Sequence, residues 1–328
     1  MFNLIDNVSK QLRILPAFSG FDSEQLQVVP LQTLDHSEVY RVRLPDNTSL
    51  ILKRAGVSAG DELATRERRF YESVAPLLPD GLVPKCVFVV DEPSGWLAIT
   101  DVADTHLPSV DISNPSREEC TQLVRALAVL HGTSIRSSDI TEAWSTVTRT
   151  LPKAGIDQRI AMFLEALDPF LHEIGRRLEK KERQLLSSLA GINEKLSSVS
   201  AVEKNILVHG DAHYSNFLYS EDAGACIIDW ALPMISFGEI DLAHALALNL
   251  PRRIGRKWEA ELLNEYAAQL RRLGCPVENE RIEQRYSLAV LYGFVSPVLW
   301  WKSGVPEEHW WPGFTNVFDA ALDRGLLK

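Results

Sequence analysis

Three polar side chains in the second half of the chain have the types and the spacing that phosphoryl transfer needs. Asp211 follows His209 and Gly210, Asn216 comes after four further residues, and Asp229 ends an apolar run. Phosphoryl transfer requires a carboxylate that accepts or orients the proton of the attacking hydroxyl. It also requires further oxygen ligands that hold Mg²⁺ against the β- and γ-phosphates. The order Asp, Asn and Asp supplies both requirements.

The segments around these residues resemble those of a known superfamily. HGDAHYSN, IIDW and FGEIDLAHAL are similar to the motifs of aminoglycoside phosphotransferases and choline kinase-like enzymes, whose catalytic loop carries Gly where protein kinases have Arg. The spacing from Asp211 to Asn216 equals that of the protein-kinase catalytic loop. The resemblance implies that Asp211 is the catalytic base or hydroxyl-orienting carboxylate, Asn216 a magnesium ligand and Asp229 the principal magnesium ligand. It also gives Asp241 a structural role, for which a helix N-cap is the simplest account.

A second set of candidate residues lies far upstream, on a strand and on the helix that follows it. Lys53 stands near the end of the strand LILKR. Its ammonium would need a carboxylate partner to hold it over the α- and β-phosphates. The resemblance selects Glu67, because the family has a Glu shortly before an aromatic pair, here Phe70-Tyr71. Glu62 is the competing partner.

Two further stretches bear on nucleotide binding. Thr100-Asp101-Val102 falls where the resemblance puts the hinge between two lobes. The backbone groups of Thr100 and Val102 would read the adenine edge there, which needs no particular side chain. TLDHSEVY stands where protein kinases carry a glycine-rich phosphate loop, and it contains no glycine. Backbone amides can still cap phosphates at this place, with help from Ser37.

The same residues also allow two other interpretations. His209, Asp211 and His213 have the H-x-D-x-H spacing of some metal sites, so a metal-dependent phosphohydrolase is one rival. It would need more His and Asp ligands nearby. A catalytically silent nucleotide-binding scaffold is the second rival. We expect His209 to orient the loop by hydrogen bonding, and His213 to be structural or to lie near the acceptor.

The hydrophobic pattern places Lys53 and Glu67 in a small antiparallel lobe. The segments QVVPLQTL, EVYRVRLP and SLILKR alternate β-branched and aromatic residues with polar ones, which predicts a meander. AGDELATRERRFYESVAPLL has apolar residues at helical spacing and predicts one helix, closed by Pro76 and Pro79. KCVFVVDEP and GWLAITDV predict two further strands, so that the sheet has about five strands and one helix.

From Arg117 onward the pattern is mainly helical. Helices are predicted in REECTQLVRALAVLHGTS, between Asp157 and Ser198, and in WEAELLNEYAAQLRRLG and ERIEQRYSLAVLYGFVSPVLWW. A β-hairpin interrupts them, where FLY and CIID flank a Glu-Asp-Ala-Gly turn. With the resemblance, this pattern predicts an α+β, protein-kinase-like fold with an N-lobe over residues 1–102 and a C-lobe over residues 103–328.

Composition disfavours several classes of function. The net charge of −10 at pH 7 argues against a nucleic-acid partner, because phosphate contacts need a basic face. No apolar run has the length that a bilayer requires, so we expect no membrane partner. MFNLIDNVSKQLRIL predicts an amphipathic helix rather than a signal peptide. Four scattered cysteines without a C-x-x-C pair predict buried thiols in a reducing cytoplasm.

Together with the resemblance, these residues predict a small-molecule kinase that uses Mg²⁺ and takes its phosphoryl group from ATP or GTP. The acceptor would be a hydroxyl of an aminoglycoside, sugar, nucleoside or amino alcohol. Four tryptophans near the C-terminus can stack on such an acceptor, although we expect them to pack the last helices together. They are Trp300, Trp301, Trp310 and Trp311. The sequence predicts no oligomeric state.

Overall fold

A computed structural model of the chain describes residues 26–34, 37–55, 62–90, 95–149, 155–175, 192–203 and 205–327. The amphipathic helix predicted at the N-terminus lies outside these residues. The same holds for positions 35–36 of the segment TLDHSEVY and for part of the predicted helical stretch between Asp157 and Ser198.

An antiparallel sheet forms the first lobe. Its strands are β1 (Gln27–Leu34), β2 (Ser37–Arg43), β3 (Ser49–Ala55), β4 (Cys86–Val90) and β5 (Trp96–Thr100). They pair in the order β1-β2-β3-β5-β4, with every neighbouring pair antiparallel. Because side chains alternate between the faces of a strand, Tyr40, Leu52 and Trp96 meet in one buried cluster on one face. The predicted sheet of five strands is confirmed.

One helix packs against this sheet and turns its polar and aromatic inner face toward it. α1 spans Glu62–Ser73 and is followed by a 3₁₀ turn at Ala75–Leu77. It is shorter than the predicted helix, because Pro76 has no N–H to donate and its ring excludes the preceding helical turn. Glu67, Phe70 and Tyr71 are buried on the inner face. Glu67 thereby faces β3, the strand that carries Lys53.

The rest of the chain is mainly helical, which confirms the predicted fold class. The helices are α2 (Arg117–Arg136), α3 (Ser138–Thr148), α4 (Ile156–Ile174), α5 (Ile192–Ala201), α6 (Glu239–Ala243), α7 (Arg252–Arg272), α8 (Asn279–Tyr292), α9 (Val295–Lys302) and α10 (Glu307–Asp323). One prediction is corrected: ERIEQRYSLAVLYGFVSPVLWW forms two helices, α8 and α9, with a break at Gly293. The lobe boundary at residue 102 stays a prediction.

The C-terminal tryptophans pack the last helices together, as expected. Trp310 is buried, and the ring centroids of Trp301 and Trp310 lie 5.4 and 5.6 Å from that of Phe170 on α4. Trp311 lies 5.8 Å from Phe314. These edge and stacked contacts are typical of an aromatic core that joins helices.

Short strands between the helices position the predicted motifs. They are β6 (Leu107–Pro108), β7 (Ile206–Val208), β8 (Phe217–Ser220), β9 (Gly224–Ile227) and β10 (Met234–Ser236). β8 and β9 form the predicted hairpin, and β7 pairs with β10. The segment between β7 and β8 carries Asp211 and Asn216, and the segment after β9 carries Asp229. Each of these two segments thus begins directly after a strand of one of the small sheets, β7 for the first and β9 for the second.

All four cysteines are free thiols, as predicted. Cys120, Cys226 and Cys275 are buried, whereas Cys86 is half-buried. Burial raises the pKa of Cys86 and of Cys120 to about 11, so both stay protonated at neutral pH. Within the described part of the chain, no helix combines the length and the apolar character that crossing a membrane requires.

Candidate active site

An ion pair that spans most of the sequence joins the sheet to the helical part. Lys53 Nζ lies 2.6 Å from Glu67 Oε1 and 3.2 Å from Asp229 Oδ1. The predicted pairing of Lys53 with Glu67 is therefore present, while Glu62, the competing candidate, pairs with Arg66 on the same helix. Burial disfavours the charge of Lys53, but the carboxylates of Glu67 and Asp229 outweigh it and raise the pKa of Lys53 above its ordinary value. The ammonium is thus charged at every pH at which the protein would work.

Glu67 is buried more deeply than the other two members of this group. Its Oε1 also accepts a hydrogen bond from the backbone N–H of Trp230, at 3.3 Å. Burial raises the pKa of Glu67, while the ammonium of Lys53 opposes that rise. Glu67 thereby joins α1, β3 and the segment after β9 at one point.

The loop that carries Asp211 has a backbone conformation that requires glycine. Gly210 has φ +81°, and a Cβ at this position would lie 2.1 Å from the carbonyl oxygen of Leu232. Glycine adopts positive φ at no steric cost, and here the missing side chain also lets two backbone segments approach closely. The Gly of the H-G-D motif is therefore a steric requirement of this loop.

His209 orders the same loop, as expected. It is fully buried; its Nε2 donates to the carbonyl of Ile228 at 3.0 Å, and its Nδ1 accepts the N–H of Asp211 at 3.3 Å. Burial lowers the pKa of His209, which keeps the ring neutral and fits this pair of hydrogen bonds. The ring ties the loop of Asp211 to the end of the hairpin before Asp229.

Asp241 has the predicted structural role, but the N-cap account is wrong. Asp241 lies inside α6, whose N-cap is Gly238, so its carboxylate does not cap this helix. Asp241 Oδ2 accepts the N–H of His209 at 2.7 Å, and Oδ1 accepts that of Gly210 at 2.9 Å. His131 on α2 contacts Oδ2 at 3.1 Å. The side chain of Asp241 caps the loop that carries Asp211 instead of its own helix.

The carboxylate of Asp211 has three neighbours. His244 Nε2 lies 3.1 Å from Oδ1, while His213 Nε2 and Asn216 Nδ2 each lie 3.4 Å from Oδ2. Burial alone would raise the pKa of Asp211, but His213 and His244 hold that pKa well below its usual range. Asp211 is therefore an anion at neutral pH, as a hydroxyl-orienting carboxylate has to be.

The two predicted metal ligands, Asn216 and Asp229, line one cavity. The amide nitrogen of Asn216 donates to the backbone oxygen of Asp211 at 2.9 Å, which leaves the amide oxygen as the atom that could bind a metal. Asp229 has a half-exposed side chain and φ +63°, a left-handed conformation that costs a non-glycine residue free energy and that recurs at functional sites. Amide and carboxylate oxygens are the ligands that Mg²⁺ prefers, so both residues fit this ion.

A cavity of about 490 Å³ extends from these residues to the predicted hinge. Thr100 and Val102 line it at one end, and Lys53, Asn216 and Asp229 line it at the other. Its apolar lining comes from both halves of the molecule, with Ile51 and Val39 from the sheet and Leu218 and Ile228 from the hairpin region. A second cavity of about 280 Å³ shares Lys53 and Asp229 and includes Asp211. The predicted site residues from the two lobes therefore meet across one groove.

The segment predicted to be the hinge is held by a side chain that the sequence did not single out. Asp101 accepts hydrogen bonds from Arg41 Nε at 2.5 Å, Ser49 Oγ at 2.8 Å and the N–H of Ala103 at 3.1 Å. The carbonyl of Val102 accepts the N–H groups of Thr105 and His106. The position of Ser37 at the start of β2 is described, but its side chain is not, and its contact with phosphates stays a prediction.

The phosphohydrolase rival would require a cluster of metal ligands. Across the residues that the structure describes, no group of three or more His, Cys, Asp or Glu side chains is arranged to hold a metal ion. His213 instead contacts the amide of Asn216 at 3.1 Å.

Comparison with protein families decides the classification. Residues 30–275 match the model of one family, described as the phosphotransferase enzyme family, and this segment contains Lys53, Glu67, Asp211, Asn216 and Asp229. The chain belongs to the phosphotransferase enzyme family. Comparison of the sequence of this phosphotransferase with curated proteins gives no match.

The fold of this phosphotransferase is similar to that of solved small-molecule kinases. Choline kinase from Cryptosporidium parvum Iowa II aligns with a TM-score of 0.62 and 14% identity, over 98% of this chain and 97% of that one. The GDP complex of aminoglycoside 2'-phosphotransferase-IIIa gives 0.63 and 14%, over 97% and 99%. A choline/ethanolamine kinase family protein from Mesorhizobium loti gives 0.60 and 16%, over 97% and 93%. The resemblance inferred from the sequence is thereby confirmed.

Sequence reasoning missed two residues of this phosphotransferase site. Asp101 was covered only as part of the hinge segment, and its role became visible through contacts with Arg41 and Ser49, which precede it by a long stretch of chain. His244 lies in the segment DLAHAL that carried the resemblance, three residues after Asp241. The helical spacing between Asp241 and His244 was the available signal, because residues three apart share one helix face.

Proposed function

We propose that this phosphotransferase moves the γ-phosphoryl group of a nucleoside triphosphate onto a hydroxyl of a small molecule, with Mg²⁺ as cofactor. The observation that carries the proposal is the 3.2 Å contact between Lys53 Nζ and Asp229 Oδ1, at a cavity that Asp211 also lines. A cation from the sheet and anions from the hairpin region are the groups that a metal-bound triphosphate requires on its two sides.

In this proposal each residue has one task. Lys53, held by Glu67, contacts the α- and β-phosphates, and Asn216 and Asp229 would hold Mg²⁺, which neutralises phosphate charge when bound. Asp211 orients the acceptor hydroxyl. As the bond between the acceptor oxygen and phosphorus forms, the bond from phosphorus to the β,γ-bridging oxygen breaks, and the acceptor proton passes to Asp211. Positioning and charge neutralisation supply most of the rate.

The donor is ATP or GTP in this account. Thr100 and Val102 line the cavity in which the purine would bind, and Ile51 and Ile228 would pack against the faces of the base. The Val102 carbonyl already accepts the N–H groups of Thr105 and His106, so other backbone groups of this segment would read the edge of the base. Because backbone groups do the reading, both purines are candidates. We place the reaction in the cytoplasm, where four free thiols are stable and nucleoside triphosphates are supplied.

The acceptor belongs to the hydroxylated small molecules, with aminoglycosides, sugars, nucleosides and amino alcohols as candidate classes. Support comes from the similar folds, whose proteins are named for choline, ethanolamine and aminoglycosides. The tryptophans of α9 and α10 are used in packing, so we assign them no part in acceptor binding.

The decisive assay is the transfer of radiolabel from γ-labelled ATP and GTP to a panel of acceptors. The panel contains choline, ethanolamine, kanamycin, erythromycin, glucose and adenosine, each with and without Mg²⁺. We expect a labelled product from at least one acceptor class, dependent on Mg²⁺. Release of phosphate at a rate that no acceptor changes would favour a phosphohydrolase. Thermal stabilisation by Mg²⁺-ATP without any turnover would favour a silent scaffold.

The first variant to test is Asp211→Asn, which keeps the shape of the side chain and removes its negative charge. We expect phosphoryl transfer to fall by about 10²–10⁴-fold, the usual contribution of a positioned general base. The matched control is Asp222→Asn, in the exposed turn of the hairpin, which should keep wild-type activity. Full activity in the Asp211 variant, with an unchanged circular dichroism spectrum, would refute the role.

A further inference from the structure

His244 contacts the carboxylate of Asp211 from outside the loop that carries it. His244 Nε2 lies 3.1 Å from Asp211 Oδ1, and the His244 side chain is 10% exposed. This nitrogen is buried, and in the described structure it makes no hydrogen bond of good geometry. A buried donor without a well-aligned partner costs free energy, so its place beside an anion requires an explanation.

His244 and Asp241 lie on the same side of one helical segment, and both contact the loop that carries Asp211. His244 begins a five-residue π-helix, His244–Leu248, which continues directly from α6. Residues three apart lie on one face of a helix, so Asp241 and His244 both point toward the loop. Asp241 holds the backbone of His209 and Gly210, and His244 reaches the side chain of Asp211. Short π-helices frequently occur at functional sites.

Hydrogen bonds from Asn249 hold the first residue of the π-helix, His244, in place. The backbone N–H of Asn249 donates to the carbonyl of His244 at 3.2 Å, and its side-chain amide donates to the same oxygen at 2.8 Å. Both bonds close the π-helical turn around His244. The imidazole is therefore attached to a segment of defined geometry in the core of the helical lobe.

The other two neighbours of the Asp211 carboxylate lie in the same loop as Asp211 and cannot fix its position relative to the rest of the molecule. His213 and Asn216 belong to the same loop, and both contact Oδ2 at 3.4 Å, the limit of a hydrogen bond. Because both are part of the loop, neither ties Oδ2 to another element. His244 comes from another element and contacts the opposite oxygen. One oxygen of Asp211 thus contacts a side chain from another element, and the other oxygen contacts only side chains of its own loop among these three neighbours.

We propose that His244 is a positioning residue for phosphoryl transfer: it holds Asp211 Oδ1 and so directs Oδ2 to the hydroxyl of the acceptor. This inference rests on the proposed function. The proton of the acceptor passes to Asp211 Oδ2 as the new bond to phosphorus forms and the bond to the leaving nucleoside diphosphate breaks. Contacts around a catalytic carboxylate are often poorly aligned without substrate and tighten when it binds, which accounts for the imperfect angle at His244.

The test compares two substitutions of His244. Gln places its side-chain nitrogen near the position of Nε2 and can still donate to Asp211, whereas Leu fills a similar volume without a donor. The reaction is followed as ADP release from Mg²⁺-ATP with water as acceptor, and with any panel acceptor that the wild type uses. The expected loss for His244→Leu is about 10–100-fold in kcat, because misplacing a reacting group by about 1 Å costs as much as 10²-fold. KM for Mg²⁺-ATP should stay within about two-fold, since His244 lies outside the residues proposed to hold the nucleotide.

His244→Gln should recover most of the lost kcat. In an Asp211→Asn background, His244→Leu should cause no further loss, because two residues that act as one unit are not additive. A readout without nucleotide accompanies these assays: the side-chain ¹⁵N resonances of His244 should shift between the wild type and the Asp211→Asn variant.

Equal kcat values for the Leu and Gln variants would overturn the proposal, and so would a loss confined to KM. If His244→Leu fails to fold, a kcat for the Gln variant far below that of the wild type, at unchanged Tm, would overturn it as well. Wild-type protein that turns over no acceptor, water included, would instead contradict the proposed function, and the role of His244 would fall with it.

Discussion

Lys53 keeps a positive charge in an environment that alone would remove it. Burial lowers the pKa of a lysine, yet Glu67 and Asp229 stand close enough to raise that of Lys53 above its ordinary value. The ammonium is held between one carboxylate on α1 and one after β9. A triphosphate in the cavity would meet a cation that is already held in place. Binding would therefore not have to pay the entropy of ordering the Lys53 side chain.

Glu67→Gln tests whether this preorganisation matters. The substitution removes the negative charge but keeps the size, so Lys53 would turn fully toward Asp229 and compete with Mg²⁺ for its oxygen. We expect kcat/KM for Mg²⁺-ATP to fall by about 10–100-fold, equivalent to about 1.4–2.7 kcal/mol of transition-state stabilisation. Glu62→Gln, the same change on the same helix, should stay within two-fold of the wild type. Equal effects of the two substitutions would contradict the assigned role of Glu67.

For individual residues, the sequence predicted those that belong to a motif and missed those whose role depends on contacts between distant segments. Lys53, Glu67, Asp211, Asn216 and Asp229 could be found because their types and order carry the resemblance. The contacts of Asp101 with Arg41 and of His244 with Asp211 arise only when distant segments come together. Helical spacing places His244 on the same face as Asp241, but no local pattern shows which distant segment that face contacts. The N-cap interpretation of Asp241 failed for the same reason.

Among the elements, the loop that carries Gly210 and Asp211 depends most strictly on its backbone conformation. Gly210 and Gly224 both have φ near +80°, but only Gly210 has an atom near the place of a Cβ, the carbonyl oxygen of Leu232 at 2.1 Å. Gly224→Ala should therefore destabilise the protein by about 1–2 kcal/mol, the cost of a left-handed residue. Gly210→Ala carries that cost and a steric overlap with the backbone in addition.

We expect Gly210→Ala to reduce the free energy of unfolding in urea by at least twice as much as Gly224→Ala. It should also abolish phosphoryl transfer, because Asp211 follows directly in the displaced loop. If the two alanine variants are equally stable and equally active, the backbone of this loop adapts freely, and the steric account is wrong.

The contact between α6 and the catalytic loop should make stability depend on pH. Burial alone would raise the pKa of Asp241, but His131 and the N–H of Gly210 lower it below its ordinary value of 3.8. The ionised Asp241 thus contributes stability that is fully present above about pH 5 and is lost as the pH falls below 3.8 toward the lower pKa of the folded state.

Asp241→Asn should accordingly lower the free energy of unfolding by about 3 kcal/mol at pH 7, since a buried charge that accepts several hydrogen bonds is lost. The difference from the wild type should shrink at about pH 3, where the unfolded chain has protonated its Asp241. Urea unfolding at both pH values measures this, with Asp222→Asn as the exposed control. A difference that is independent of pH would contradict the ionised state of Asp241.

Element prediction was most successful where segments were long and periodic. β1 to β5, α1, α2 and the hairpin could all be read from alternation or helical spacing. The strands β6, β7 and β10 contain two or three residues each and are too short to show a period. The residues on both sides of the break between α8 and α9 are apolar, so composition does not show where one helix ends. Gly293 was the single sign of the break in the sequence.

For the whole molecule, the central feature is a groove between a sheet and a helical lobe. Motifs predicted the chemistry of the groove, because every phosphotransferase of this kind must place the same few charges. They did not predict the acceptor, whose recognition would depend on the shape of the cavity beside Asp211. Such shapes arise from side chains of several helices and follow no spacing rule.

A crystal structure of the protein with Mg²⁺ and the non-hydrolysable donor AMP-PNP tests the central claim most directly. We predict a metal at about 2.0–2.1 Å from oxygen atoms of Asn216 and Asp229. Lys53 should contact the α- or β-phosphate, and the γ-phosphate should face Asp211 across the space for one acceptor oxygen. A nucleotide bound elsewhere, or bound here with its γ-phosphate turned away from Asp211, would contradict the account.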